Sequence, residues 1–421
     1  AIIRELVNLR KEKAFLLGYD NHAAFKLEQS MAGSPEEVMT FLHQLWKPAL
    51  AKAKVERDEI AKMMKSDGVN DAPQPYDWRY YAERIRKAKF DLDEDEIKPY
   101  FSLDNVQKGI FDLCDKLFGL QFERRSEIVG YHDEMVAYEV KEKDGSHVGI
   151  LFMDFHPRPS KRGGAWMTSY RSQSVDKNGN FVAPVISIVC NFTKPTASQP
   201  ALLTFDEVET FFHEFGHALH GLLSNVTYPS LAGTNVYTDF VELPSQIMEN
   251  WAGEPEFLKT YALHYETGEV IPDALIEKLS KAGTFGQGFA TTEYLAASFL
   301  DMFFHTMDLK DEQSVEDFEI EKMKEIGLIE EIIPRYRSTY FSHIFAGGYS
   351  AGYYSYIWSG VLDTDAFEAF KETSLFNQET AQSFRTNILE AGSTYEPMDL
   401  YVRFRGRKPV IEPLLRKRGL K

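Results

Sequence analysis

Cysteine is scarce in this sequence, with only Cys114 and Cys190 among 421 residues. Two cysteines cannot form a disulfide framework or a zinc site built from thiolates, so neither is expected here. Long apolar runs are missing as well, because no stretch approaches the roughly 18 uncharged apolar residues that indicate a membrane-spanning helix. We therefore expect no disulfide-stabilised fold and no membrane partner.

Positive charge is also in deficit, since 47 Lys and Arg stand against 64 Asp and Glu and give a formal net charge of −17. A chain this acidic repels a phosphate backbone, whose binding depends on Lys and Arg displacing counterions. Nucleic acid is therefore not an expected partner. Hydrophobic residues make up 43% and charged residues 26% of the chain, an ordinary globular composition that excludes a disordered or fibrous protein.

The first residues lack an initiator Met and the charged, apolar and cleavage regions of a signal peptide. Their pattern is instead typical of the middle of an amphipathic helix. We expect a cytoplasmic chain that begins partway through a longer sequence, with a removed targeting segment as the alternative.

Three stretches of different character follow one another along the chain. Residues 1–120 and 196–421 have helical patterns, whereas residues 121–195 have strand patterns. These bounds predict a helical part, a small β-sheet region and a second helical region. The predicted fold class is mainly α with a small β-sheet.

Local signals place several of the predicted helices. Ser34, followed by Pro35 and Glu37, predicts a capped helix start. Pro48 lies inside the helical pattern that follows and should kink or end the helix. Asp77 is predicted to cap a further helix that runs through residues 78–81.

The strand patterns predict a hairpin and two further strands. Residues 135–140 alternate and residues 147–153 are alternating or wholly apolar, with an Asp144-Gly145 turn between them. Residues 163–167 and 184–190 are the two further strands.

The pattern that carries chemistry is His-Glu-x-x-His. Thr204 and Glu207 predict a capping box that opens its helix. His213 and His217 lie four apart, so they share one helix face and can present two imidazoles to one ion. Glu214 is rotated away from that face and would reach the water on the ion. Imidazole ligands favour zinc. The alternative is that His213 and His217 are buried core histidines that bind no metal.

A catalytic zinc site needs a third protein ligand. Glu242 is the candidate, because it stands at the start of a second predicted helix in which Pro244 is tolerable only in the first turn. Gln246 and Glu249 share the face of Glu242, and either could orient a ligand imidazole through its other N–H. His220 also faces the site, where packing is the favoured role.

These residues resemble a known family. His213-Glu-Phe-Gly-His-Ala-Leu-His and Asp239-Phe-Val-Glu-x-Pro-Ser-Gln-x-x-Glu-Asn-Trp251 are similar to motifs of the thimet oligopeptidase and neurolysin family of zinc metallopeptidases. The resemblance covers nearly the whole chain. Within that family the segment 341–356 most resembles the bacterial peptidyl-dipeptidases, also called dipeptidyl carboxypeptidases.

The resemblance implies a site and a fold. One Zn²⁺ per chain would be held by His213, His217 and Glu242, with Glu214 as general base. The implied fold is zincin-like and neurolysin-type, with the zinc in a deep channel that admits short peptides, in a monomer. The 421 residues would form one catalytic unit that lacks an N-terminal helical lobe. His343 and Tyr356 would be catalytic, and Tyr349 and Tyr353 would contact substrate.

Alternative interpretations of three segments follow from the sequence. The three tyrosines recur at helical intervals, which is also typical of a core stripe, and Gly347, Gly348 and Gly352 indicate a flexible loop. Gly164 and Ala165 lie either in a turn or on an edge strand that pairs with the substrate backbone. The basic last 21 residues are predicted to dock, because apolar residues are interleaved among the charges.

The sequence therefore predicts a zinc metallopeptidase that releases dipeptides from the free C-termini of oligopeptides. The alternatives are an oligopeptide endopeptidase of the same family and a catalytically silent zinc-containing peptide-binding protein.

Overall fold

The computed structural model describes residues 1–90, 93–309 and 313–421. Helices dominate it, as predicted. The described α-helices are α1 (Ile2–Leu16), α2 (His22–Leu27), α3 (Pro35–Ser66), α4 (Pro75–Phe90), α5 (Glu94–Ile97), α6 (Leu103–Phe118), α7 (Phe205–Leu222), α8 (Leu243–Ala252), α9 (Pro255–Tyr261), α10 (Asp273–Ala282), α11 (Gln287–Thr306), α12 (Val315–Glu325), α13 (Ser342–Phe345), α14 (Ser355–Glu372), α15 (Gln378–Phe384), α16 (Pro397–Arg405) and α17 (Glu412–Lys417).

The strands form one small mixed sheet and one short pair. They are β1 (Gln121–Arg124), β2 (Val136–Lys141), β3 (His147–Asp154), β4 (Trp166–Arg171), β5 (Ser174–Val175), β6 (Phe181–Val182) and β7 (Val185–Val189). The sheet order is β1-β2-β3-β7-β4, with β3 and β7 parallel and the other neighbours antiparallel. The predicted β2–β3 hairpin and the mainly helical fold class are confirmed.

The chain forms two compact units, each made of segments distant in sequence. The first contains residues 1–92, 278–358 and 414–421, and the second contains residues 93–277 and 359–413.

In the first unit, α11 packs along α3. A Cβ on Gly288 would lie 2.5 Å from the backbone nitrogen of Ala53, so only glycine permits this approach. The carboxylate of Glu56 on α3 accepts hydrogen bonds from the Gly288 and Phe289 N–H groups at 2.9 and 2.8 Å. It thereby satisfies two of the backbone donors that a helix N-terminus leaves without partners.

In the second unit, α7 lies on the sheet and α8 lies against α7. Phe111 and Phe122 stack with ring centroids 4.2 Å apart, and Phe215 of α7 packs on both rings. A Cβ on Gly221 would lie 2.8 Å from Ile186 Cδ1, which shows how closely α7 approaches β7. This contact fixes the helix that carries the His-Glu-x-x-His pattern.

Several local predictions are confirmed and others differ. The Ser34 hydroxyl accepts from the Glu37 N–H, and Thr204 and Glu207 form a complete capping box. Pro48 does not end its helix, because α3 continues to Ser66. Asp77 is not the N-cap, because α4 begins at Pro75 and Asp77 stands in its first turn, where the carboxylate accepts from the Gln74 N–H at 2.9 Å.

The C-terminal segment docks, as predicted. In the first unit Leu414 is buried, and Arg418 donates to the Thr291 hydroxyl at 3.0 Å. Across the described residues, the helices include none that is both long enough and apolar enough to cross a membrane.

Candidate metal centre

Two consecutive helices of the second unit position the predicted ligands. His213 and His217 lie one turn apart on α7, and Glu242 is the residue immediately before α8. Pro244 stands in the first turn of α8, where its missing N–H costs nothing.

Gly216 lets the two helices meet at this point. A Cβ there would lie 2.1 Å from the Pro244 carbonyl oxygen and 2.6 Å from the Ser245 Cα, distances that no side chain can occupy. The backbone of α8 therefore rests on α7 between the two histidines.

The three predicted ligand side chains converge. Glu242 Oε2 lies 3.3 Å from His213 Nε2 and 3.1 Å from His217 Nε2. One possible ligand atom from each residue lies within 4.8 Å of the other two. Two imidazoles and one carboxylate are a donor set found in catalytic zinc sites.

Neighbouring side chains orient this cluster. Glu249 Oε1 lies 2.6 Å from His213 Nδ1. Of the two residues predicted to orient a ligand imidazole, Gln246 and Glu249, it is therefore Glu249 that contacts His213. The Ser245 hydroxyl, which the sequence reasoning missed, donates to Glu242 Oε2 at 2.9 Å. A Ser three residues after the ligand on the same helix was the available signal.

The electrostatics of the cluster favour charge separation. Burial lowers the pKa of His213, but hydrogen bonds to Glu242 and Glu249 outweigh it and raise that pKa well above its usual value. Burial raises the pKa of Glu242, yet the charges of His217 and His213 leave it well below its usual value. The site thus concentrates negative charge beside two imidazoles.

Glu214 lies one residue beyond His213 and is almost fully buried. Its Oε2 has no hydrogen-bond partner among the described residues. Burial raises the pKa of Glu214, with the nearby imidazoles opposing that shift. A buried carboxyl oxygen without a protein partner is placed to exchange a proton with a small molecule at the cluster.

His220 and Gln246 lie on the same two helices as the cluster and are not among its three possible ligands. His220 is fully buried, and burial together with His217 lowers its pKa to about 3. His220 therefore stays neutral, which fits the predicted packing role. Gln246 lies on α8, where its N–H donates to the Glu242 carbonyl at 2.9 Å.

The predicted substrate-contacting residues of segment 341–356 lie together in the first unit. The ring centroid of His343 lies 5.5 Å from that of Tyr353 and 6.2 Å from that of Tyr349. Tyr349 and Tyr356 stack at 5.1 Å. Burial and Arg335 lower the pKa of His343, so its imidazole is neutral near pH 7.

Gly164 and Ala165 precede β4, which lies at one edge of the described sheet. Gly164 has a φ of +88°, so residues 163–165 form a turn into the strand, and β4 begins only at Trp166. The Asn191 amide donates to the Gly164 carbonyl at 2.6 Å and to the Arg162 carbonyl at 2.8 Å. The turn is thereby fixed beside the edge strand.

Comparisons with known proteins identify the family of this chain. A profile of Peptidase family M3 matches residues 1–420. The dipeptidyl carboxypeptidase of Escherichia coli (strain K12) is 41% identical over all of this chain, and oligopeptidase A of the same strain is 37% identical over all of it. The chain spans 62% of the length of each of these relatives.

A solved structure shows the same fold. Pyrococcus furiosus carboxypeptidase, in a structure described as Apo-Mg, matches with a TM-score of 0.58 at 14% identity. The match covers 99% of this chain and 73% of that one. At this identity the likeness concerns the fold alone. The matches over the full chain confirm the family that the motifs predicted, and the chain belongs to Peptidase family M3.

Proposed function

We propose that this chain is a zinc metallopeptidase that releases dipeptides from the free C-termini of oligopeptides. The observation that carries the proposal is the convergence of His213, His217 and Glu242 within 4.8 Å, with the buried carboxyl of Glu214 beside them. The dipeptide specificity is supported by the relative named dipeptidyl carboxypeptidase, at 41% identity.

The residues fit one zinc ion. Because Glu249 bonds His213 Nδ1, the Nε2 atom of that ring faces Glu242, and His217 Nε2 faces the same carboxylate oxygen. Second partners of this kind set the tautomer of a ligand imidazole. When bound, zinc supplies a Lewis acid and lowers the pKa of water towards about 7.

Glu214 carries the proton in the proposed mechanism. Its oxygen without a protein partner takes a proton from the water that attacks the scissile carbonyl. The same carboxyl then gives that proton to the leaving amine nitrogen, which prevents the amine from being expelled as an anion. The raised pKa of Glu214 suits both halves of this task, since the carboxyl must hold the proton between them.

The remaining site residues belong to the same proposal. His343 and Tyr356 would donate hydrogen bonds to the oxyanion that develops on the substrate carbonyl. Tyr349, Tyr353, Gly164 and Ala165 would contact the peptide. These assignments are supported by the family membership and by the clustering of the aromatic residues within their own unit.

The test uses a mixed peptide pool in which each peptide has a free or an amidated C-terminus. Products are identified by mass spectrometry after metal removal with a chelator and after zinc is restored. We expect zinc-dependent release of dipeptides from the free peptides only. Internal cleavage of amidated peptides would establish the endopeptidase alternative, and zinc-loaded protein that binds peptides without cleaving them would establish the silent binding protein.

A further inference from the structure

Asp301 is a buried carboxylate of the first unit to which the proposed chemistry gives no role. It lies on α11 with no exposed surface. Its two oxygens accept hydrogen bonds from the Ala351 N–H and the Tyr353 N–H, both at 2.9 Å. Asp301 therefore holds the backbone in the middle of segment 345–356, termed the tyrosine segment below.

The carboxylate is itself held in place. His305, one turn further along α11, lies with Nδ1 2.8 Å from Asp301 Oδ1, and its Nε2 lies 2.9 Å from Arg10 Nη1. Arg10 can only donate, so Nε2 accepts and the Nδ1–H donates to Asp301. His22 Nε2 lies at hydrogen-bond distance, 3.0 Å, from the hydroxyl of Ser350, the residue before Ala351. This contact also holds the segment in place.

The held backbone has an unfavourable conformation. Ala351 has a φ of +54°, and it is the one non-glycine residue of the described chain with a positive φ. An alanine adopts this region only where its surroundings impose it. One hydrogen bond to Asp301 comes from the N–H of Ala351 itself and the other from the N–H of Tyr353, so both hold the backbone around this conformation.

A second contact from α11 holds the backbone next to the tyrosine rings. The Tyr353 carbonyl accepts a hydrogen bond from the Tyr294 hydroxyl of α11, and the Tyr353 and Tyr294 rings lie 5.1 Å apart. Residues 346–348, which precede the held backbone, are exposed. The tyrosine segment therefore combines an exposed glycine loop with a fixed half, and α11 provides the fixation.

We propose that Asp301 is a positioning residue, which fixes Tyr349 and Tyr356 where a peptide substrate meets them. This inference rests on the proposed function, in which these tyrosines contact the substrate. Asp301 acts through the backbone of the tyrosine segment and touches no substrate itself.

The test compares Asp301→Asn with Glu56→Gln. Both changes are isosteric, both remove a buried carboxylate that accepts two backbone N–H groups, and Glu56 serves the other end of the same helix. The first measurement is amide hydrogen exchange, which needs no activity. We expect residues 346–356 to exchange roughly tenfold faster in Asp301→Asn and unchanged in Glu56→Gln.

The second measurement is a double-mutant cycle with Tyr356→Phe. We expect Asp301→Asn to lower kcat/KM by about 100-fold in the parent chain, because the tyrosine contacts with the substrate are displaced, and to leave the zinc content unchanged. In the Tyr356→Phe background the same change should cost less than about tenfold, because one of the two tyrosine contacts through which Asp301 acts is already missing.

Each measurement either supports or overturns the positioning role of Asp301. Exchange of residues 346–356 that stays at the parent rate, or costs that add in the cycle, would overturn the positioning role. If the zinc-loaded parent chain hydrolyses no peptide, the proposed function fails separately, and the cycle is then measured on the Kd of the same peptide. Coupling in that Kd supports the positioning role, and its absence overturns it.

Discussion

At the scale of single residues, the position of Glu214 decides what the candidate metal centre can do. The helix turns the side chain of Glu214 away from the face shared by His213 and His217, so the carboxyl stays out of the ligand set. Burial raises the pKa of this carboxyl, and its Oε2 has no hydrogen-bond partner among the described residues. A group that is basic, dry and next to the ligands is suited to proton transfer.

We therefore expect Glu214→Gln to keep zinc and lose hydrolysis. The amide has nearly the same shape but cannot accept and return a proton, so kcat should fall by a factor of about 10² to 10⁴. Zinc content by atomic absorption and kcat on a C-terminally free peptide are the measurements.

The matched control is Glu207→Gln on the same helix. Its amide oxygen can still accept from the Thr204 N–H and preserve the capping box, so kcat and zinc content should both stay at the parent values. Turnover by Glu214→Gln at the parent rate would remove Glu214 from the general-base role.

At the scale of structural elements, the contact between α7 and α8 forms the centre. The ligands come from two helices whose backbones touch at Gly216, where an added Cβ would lie 2.1 Å from the Pro244 carbonyl oxygen. The relative position of these helices therefore sets the separation of the three ligand atoms.

Gly216→Ala should push α8 away from α7. We expect the free energy of unfolding of the metal-free chain to fall by about 2 kcal/mol or more through overpacking. Zinc affinity, measured by competition with a chelator, should fall by roughly tenfold or more because the ligands no longer converge.

Gly253→Ala at the end of α8 is the control for this change. Its added Cβ would meet only Phe205 Cζ at 3.6 Å, and its φ of −96° suits alanine. Stability should change by less than about 0.5 kcal/mol, with zinc affinity unchanged. Unchanged zinc affinity in Gly216→Ala would show that the helix contact does not set the ligand geometry.

The elements that the sequence predicted well depend on neighbouring residues. The capping box of α7, the shared face of His213 and His217 and the β2–β3 hairpin are all set by local spacing, and the structure contains each of them. The expected end of the helix at Pro48 is wrong for a tertiary reason, whereas the kink that was its alternative stays a prediction. Packing of α3 against α11 offsets the hydrogen bond that Pro48 removes, so the helix continues.

At the scale of the whole molecule, much less could be predicted from the sequence. Each compact unit joins segments that are separated by a long stretch of the other unit, and local patterns carry no information on such pairings. Asp301 was missed for this reason, since its partners Ala351 and Tyr353 are distant in sequence. The division at residues 120 and 195, the deep channel, the monomeric state and the roles of the tyrosines stay predictions.

Acid stability is a whole-molecule property to which one buried cluster of the second unit should contribute. Asp154, at the end of β3, has no exposed surface and accepts hydrogen bonds from Arg158 at 2.8 Å, Lys161 at 3.0 Å and Tyr131 at 2.8 Å. Burial raises the pKa of Asp154, but these partners outweigh it and lower the pKa to about 2. The group therefore binds its proton more weakly in the folded chain than in the unfolded chain.

Asp154 should accordingly stabilise the fold above its ordinary pKa of 3.8 and lose that contribution as the pH falls towards about 2. We expect Asp154→Asn to lower the free energy of unfolding at pH 7 by about 3 kcal/mol, because two buried cations lose their partner. Between pH 4 and pH 2 its stability should fall less steeply than that of the parent chain. Chemical denaturation at several pH values tests this, and parallel curves for the parent and Asp154→Asn would contradict it.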